Sequence, residues 1–273
     1  MSEITLPPGT LLKMHTKLVD KMAFYTLPMP EKNIEMNTLL GKKIKIKWSG
    51  KIHCIDTGKA IKKTFGQGYS FPSFMKLASC DICYVKPELC HFNKGTCRQP
   101  KWGEDHCMRP HIVYLSITSG AKVGITRESN MPYRWIDQGA VRALPILKVK
   151  TRLDSGLIEV EIAKNIPDKT SWQKMLKGEY EEVDLFSLRK QVYNDLGDIL
   201  DSVAAEDLDL PQIEINYPIL KLPKKMPSLD LEKEKIIEGE LLGIKGQYLI
   251  FDTGVFNVRK FQGHQVEIET PHI

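Results

Sequence analysis

The chain has 273 residues, 42% of them hydrophobic and 27% charged, with a formal net charge of +5. That balance describes a globular protein in water, and no apolar run approaches the ~18 residues that would span a bilayer. The opening "MSEITLPPGTLLKMHTK" has no basic start followed by a long apolar core, so no secretion signal and no membrane partner are expected, and the cytoplasm is the expected compartment.

In chain order the sequence divides into four parts, and the expected fold class is α+β. Residues 1–75 look β-rich, with turn signals at Ser49-Gly50 and Thr57-Gly58. Within them "KKIKIKW", Lys42 to Trp48, alternates basic and apolar residues. As a strand it shows lysines on one face and Ile44, Ile46 and Trp48 on the other. "KAIKK", Lys59 to Lys63, adds three more cations. Lys45, Lys47, Lys62 and Lys63 are therefore candidate phosphate contacts, against the plainer reading of a solvated strand face.

Residues 76–110 hold five of the six cysteines, Cys80, Cys83, Cys90, Cys97 and Cys107, with His91, His106 and His111 nearby. Cytoplasmic thiols stay reduced, so such a cluster points to metal ligands or catalysis rather than disulfides. Zinc takes four soft or borderline ligands in a tetrahedron, and a Cys-x-x-Cys pair supplies two from one turn. The expected set is Cys80, Cys83, Cys90 and Cys107, with Cys97 as the substitute. An iron–sulfur cluster also suits four thiolates, and a lone Cys-x-x-Cys also suits a thioredoxin-like redox pair. Four protein ligands leave no position for water, so zinc here is expected to be structural. It would order a segment too polar and turn-rich to make its own core.

Residues 111–205 alternate short strands and helices. "HIVYL" and "AKVGIT", joined by "SITSG", read as a hairpin. A helix is predicted from Pro132 to Ala140, a third strand at "LPILKVKT", and a second helix from near Ser155. On that helix Ile158, Ile162, Ala163 and Ile166 gather on one side, and Glu161, Lys164 and Asn165 on the other. Glu159 falls within the apolar side, where a carboxylate is costly unless it is paired or binds a cation. Its plainer reading is a residue near the helix start, aided by the dipole and reaching solvent. "DKTSWQKML" from Asp168 predicts a short capped helix with Trp172 turned inward. "DLFSLRKQVYNDLGDILDSV" predicts a packing helix with Leu185, Leu188, Val192, Leu196, Ile199 and Val203 on one stripe.

Residues 206–273 open on an extended, proline-bearing stretch and return to strands. "GKIHCIDTGKAIKKTF" from Gly50 aligns without gaps on "GQYLIFDTGVFNVRKF" from Gly246. Gly50, Asp56, Thr57, Gly58 and Phe65 match Gly246, Asp252, Thr253, Gly254 and Phe261. Each copy reads as a hairpin turning at Asp-Thr-Gly, where Asp caps the turn and Gly accepts positive φ. The two terminal segments are therefore expected to pair into one β-unit, with the middle of the chain inserted between them. Paired Asp-Thr-Gly tripeptides also suggest an aspartic protease, but Lys59 and Val255 stand where a small hydroxyl residue is usual.

The layout after the cysteines, hairpin, helix with arginine, strand, helix with glutamate, resembles the GIY-YIG nuclease domain. "IVY" stands for the first motif and puts Tyr114 at its tyrosine. "KVG" stands for the second, with Gly124 retained and Lys122 in place of the tyrosine. Arg134 matches the helix arginine, Glu159 the metal-binding glutamate, and Gln138 replaces a histidine often found there. Over nearly its full length the chain also resembles a bacterial family, DUF2797, on "KPELCHFNKGTCRQPKWGEDHC", "HIVYL", "KVGITR", "RWIDQGA" and "GIKGQYLIFDTG". That second resemblance implies no activity.

The nuclease resemblance implies phosphodiester hydrolysis. One Mg²⁺ on Glu159 would stabilise the leaving oxygen, and Tyr114 would help activate the nucleophile. Lys122 would touch phosphate, and Arg134 would hold the scissile group with its fork of donors. The rival is a zinc-stapled module that holds DNA or RNA uncut, with Tyr114, Lys122, Arg127 and Arg134 as contacts only. A third reading is a structural or protein-interaction role.

Overall fold

Strands from the two ends of the chain pair with one another. A computed structural model describes residues 3–166, 170–197 and 199–271. The N-terminal part holds β1 (Glu3–Thr10), β2 (His15–Val19), β3 (Met22–Leu27), β4 (Ile34–Glu35), β5 (Lys43–His53) and β6 (Ala60–Ile61). The short helices α1 (Phe71–Lys76), α2 (Ile82–Val85) and α3 (Pro100–His106) follow, separated by 3₁₀ turns. Next come β7 (His111–Ile117), β8 (Ala121–Arg127), α4 (Tyr133–Asp137), β9 (Arg142–Val149), α5 (Arg152–Ala163), α6 (Trp172–Lys177), α7 (Leu185–Leu196), α8 (Ile199–Ser202), β10 (Glu206–Asp207) and β11 (Ile213–Glu214). The C-terminal part adds α9 (Leu231–Glu234), β12 (Ile236–Lys245), β13 (Tyr248–Phe251), β14 (Gly254–Asn257) and β15 (His264–Pro271). With helices mixed among antiparallel sheets, the fold class is α+β, as expected.

The chain forms two compact units, Met1–Phe74 with Asn216–Ile273, and Met75–Ile215. In the first, a seven-stranded sheet runs in the order β1-β15-β5-β12-β13-β14, with β6 beside β5, and β2-β3-β4 form a smaller sheet. N-terminal β5 is flanked on both sides by C-terminal strands, Ile46 facing Ile268 of β15 and Ile237 of β12. The alternating lysines explain its seat. Ile44 and Ile46 are buried, while Lys43, Lys45 and Lys47 meet Glu238, Glu269 and Glu267 at 2.7, 2.8 and 3.6 Å. Opposite charges across neighbouring strands support that register.

Both Asp-Thr-Gly tripeptides form turns, joining β5 to β6 and β13 to β14. Gly58 and Gly254 take the positive φ required, +69° and +155°. The aspartates, however, bond beyond their own turns. Asp56 Oδ2 accepts from Ser73 Oγ at 2.7 Å. Asp252 Oδ1 accepts from the Glu240 amide at 2.9 Å, tying the β13–β14 turn back to β12.

The second unit is built on a five-stranded sheet in the order β10-β9-β7-β8, with β11 also on β9. α5 and α7 cover one face. There Val113, Leu115, Ile117, Val123 and Ile125 pack with Ile158, Ile162 and Ile166 of α5 and its extension and with Leu185, Val192 and Leu196 of α7. The β7–β8 register runs without a shift. Alternation therefore turns Tyr114 and Ser116, with Lys122 and Gly124, to the opposite face.

Several helix ends differ from expectation. α5 begins at Arg152 because Thr151 and Asp154 form a capping box, and Ala163 is exposed rather than inward. The long packing stripe is cut at Gly197 (φ +45°), so α7 and α8 are separate. α4 is five residues long, shorter than Pro132 to Ala140. Ser171 caps α6, and Met175 and Leu176 face inward, with Trp172 only half-buried; Asp168 lies outside the described residues. No helix among the described residues is long and apolar enough to cross a membrane.

Candidate functional site

The cysteine segment is a series of tight turns placed by individual residues. Asp81 caps α2, its carboxylate accepting from the Cys83 amide. Pro87 opens a 3₁₀ turn at Pro87–Leu89 that presents Cys90. Gly95, in the left-handed region, closes the next turn. Pro100 opens α3, which delivers Cys107 at its end. Few apolar side chains of this segment are buried, so packing alone gives it little stability.

Cys83, Cys90, Cys97 and Cys107 border one cavity, with room for about one water molecule, about 10 Å³. Cys107 is the deepest, at 8% exposure. Gly103 permits the approach of its neighbours, because a Cβ there would lie 2.8 Å from the Phe92 ring and 3.3 Å from Cys97 Sγ. Burial pushes the Cys83 thiol up to about 12, helped by the charge of Asp81 and by Cys90 and Cys107. Burial also raises Cys107, opposed by Arg152 and reinforced by Cys90 and Cys97.

Cys80 does not border the cavity. It ends the 3₁₀ turn Ala78–Cys80, and extended Asp81 separates it from α2.

A second grouping shares Cys83. Donor atoms of Asp81, Cys83 and His91 lie within 4.8 Å of one another and form a group able to hold a metal ion. Asp81 is also gripped by Arg98 Nε at 2.6 Å. Burial works against its charge, but the Cys83 amide, Arg98 and His91 hold the carboxyl below the usual range. His106 Nδ1 lies 3.0 Å from the Trp102 carbonyl, and its ring stacks on Trp102. His111 is fully buried, with Nδ1 2.7 Å from the Arg109 carbonyl oxygen. Burial lowers it to about 4 against that hydrogen bond, with Arg152 and Arg127 adding.

The segment is docked on α5. Arg152 Nη2 donates to the Tyr84 carbonyl at 2.7 Å, and its guanidinium lies 4.8 Å from the Tyr84 ring centre. The Arg152 amide donates to the Cys107 carbonyl. One turn on, Gly156 meets the Pro87–Glu88 backbone directly. Sequence reasoning missed Asp81, Gly103, Arg152 and Gly156, although Asp81 just ahead of a short helix carried an N-cap signal.

The nuclease-like residues stand on β7, β8, α4 and α5. Tyr114 is 0% exposed, and its Oη donates to Gln138 Oε1 at 2.8 Å. Its ring packs edge-on to Trp135, 5.8 Å between centres, and lies across Gly124. A Cβ on Gly124 would come within 2.6 Å of the phenol, so glycine is required there. Lys122 is buried on the same face at 8% exposure. Arg134 on α4 is half-buried, with no ion pair or side-chain hydrogen bond among the described residues. Glu159 is half-buried beside Ile158 and Ile162, on the helix that covers the other face. Tyr114, Gly124, Trp135 and Gln138 thus lie together. Tyr114→Phe should cost about 1 kcal/mol by orphaning the Gln138 carbonyl, measured by urea denaturation.

The sequence matches the family described as Protein of unknown function (DUF2797) over residues 41–266. The chain belongs to DUF2797. The DUF2797 match spans the cysteine segment, the whole five-stranded sheet, and β5 with β12 to β14, so the insertion between paired terminal strands lies within the family's own extent. No curated protein and no solved structure matches the chain.

Proposed function

We propose that this DUF2797 protein is a zinc-stapled nucleic-acid-binding module that does not hydrolyse phosphodiesters. Zinc would be held by Cys83, Cys90, Cys97 and Cys107, a soft donor set suited to it. Its role would be structural, fixing the docked segment. The observation that carries the non-cleaving half is the state of Tyr114. The phenol is fully buried and donates to Gln138, while the helix bearing Glu159 lies against the opposite face of the sheet. A general base must come within hydrogen-bond reach of its substrate.

Binding is supported by cations without anions: Arg134, Lys62 and Lys63 have no ion pair among the described residues. Lys45 and Lys47 are weaker candidates, because Glu269 and Glu267 already neutralise them.

The test is incubation of purified protein with labelled single- and double-stranded DNA and RNA, with Mg²⁺ and then with chelator. Salt-sensitive binding without cutting is expected. Arg134→Ala should weaken binding alike across sequences and lower the salt slope by about one. Metal-dependent cutting abolished by Glu159→Ala would establish the nuclease instead. Absence of binding at low salt would leave only an interaction role.

A further inference from the structure

One surface of the β-rich unit combines exposed aromatic area with positive charge. Phe71 begins α1 and is 54% exposed. Its ring centre lies 5.0 Å from that of Phe65, which is 6.3 Å from Phe74. Lys63 Nζ sits 5.0 Å from the centre of the same Phe65 ring. Cation and exposed ring therefore border one aromatic. Lys59, Lys62 and Lys63 are exposed, with no ion pair among the described residues. They differ in this from Lys43, Lys45 and Lys47 of β5, each of which has a glutamate. Asp56, the acid nearest in sequence, accepts from Ser73 Oγ.

The surface is also held in shape. Phe65 and Tyr69 exchange backbone hydrogen bonds of 2.8 and 3.2 Å, closing a tight loop. Gly68 takes φ +100°, and a Cβ there would lie 2.9 Å from Ile55 and 3.1 Å from the Gln262 carbonyl. Arg259 Nε donates to Gln67 at 2.6 Å, tying the loop to the C-terminal strands. A surface ordered before binding loses less freedom when it binds.

We infer that Phe71, backed by Phe65 with Lys63 over the same Phe65 ring, is a stacking platform for an unpaired base of single-stranded nucleic acid. This rests on the reading that the protein binds nucleic acid, and it names the form bound. Bases inside a duplex already stack on one another. An exposed phenyl ring instead takes a base that is free, while nearby ammonium groups meet the flanking phosphates. Lys63 beside Phe65, with exposed Lys59 and Lys62 near it in sequence and none of the three in an ion pair among the described residues, favours a polyanion over an apolar protein partner.

The experiment is fluorescence anisotropy of the full chain with labelled single strands of about 12 nucleotides, DNA and RNA separately, and with a duplex of the same length. Phe71→Ala should weaken single-strand binding about tenfold and leave duplex binding unchanged. Phe71→Trp should retain single-strand binding. Lys62→Glu with Lys63→Glu should weaken single-strand binding and lower its salt slope by roughly two. The thermal midpoint of each variant checks that it folds. If wild type binds single strands and both Phe71 variants bind equally well, the platform is refuted while nucleic-acid binding stands. Binding of duplex alone likewise refutes the platform and leaves nucleic-acid binding in place. Binding of neither form overturns both proposals. Sedimentation that shows self-association lost in Phe71→Ala would assign the face to a second copy of the chain and also refute the platform.

Discussion

Freshly purified Cys107→Ser protein is expected to contain no zinc, whereas Cys80→Ser protein keeps it. The two substitutions remove the same atom, so the contrast depends only on position. Cys107 is buried in the cavity that Cys83, Cys90 and Cys97 also border, and Cys80 is outside it. Serine nearly preserves volume, so packing changes little. The lost coordination dominates, since structural zinc contributes on the order of 10 kcal/mol in zinc-finger peptides at neutral pH. A fall of several kcal/mol in stability should follow, seen as a lower thermal midpoint and freely titratable thiols. Retention should also depend on pH in one direction. Burial and neighbouring charge push Cys83 up to about 12, so an arriving ion must displace protons. Zinc should be held more weakly as the pH falls and more tightly as it rises. If Cys97→Ser keeps its metal while His91→Ala loses it, the holder is the Asp81–Cys83–His91 group instead. Iron in place of zinc would point to a cluster.

The β-rich unit was readable because its signals are local and repeated. The alternation in "KIKIKW" sets one buried and one charged face, and each Asp-Thr-Gly tripeptide marks a turn between paired strands. The cysteine segment was readable as a source of candidate metal ligands. The cavity that four of its thiols border is built by separate turns, one of them capped by Asp81, and residue spacing does not give their arrangement. The early start of α5 was legible in principle, since Thr151 and Asp154 stand three apart as capping residues do. The burial of Tyr114 was not. It follows from β8 and β9 flanking β7 and from the packing of Trp135 and Gln138. Pairings between distant segments leave no periodicity in either one. The same holds for the lysines of β5, whose glutamates come from strands nearly the whole chain away.

Gly156→Val should undock the cysteine segment from α5, at a cost of roughly 3 kcal/mol or more. Two effects compete at this residue. Glycine inside a helix is about 1 kcal/mol less favourable than alanine, so on helix propensity alone any side chain should help. Here the partner is backbone. A Cβ on Gly156 would lie 2.6 Å from the Glu88 nitrogen and 2.8 Å from the Pro87 carbonyl carbon. Neither atom can rotate away, and Pro87 is itself buried. The clash should therefore win even for Gly156→Ala, by about 1–2 kcal/mol, with the branched Val worse. Urea denaturation measures the loss, and thiol titration locates it. If the segment leaves α5, Cys83, Cys90, Cys97 and Cys107 should react faster while Cys54, in the other unit, does not change. A Gly156→Ala protein more stable than wild type, with thiols as slow as before, would mean that the Pro87–Glu88 turn stands further from α5 than this contact requires. The docking would then rest on Arg152 and Tyr84 alone.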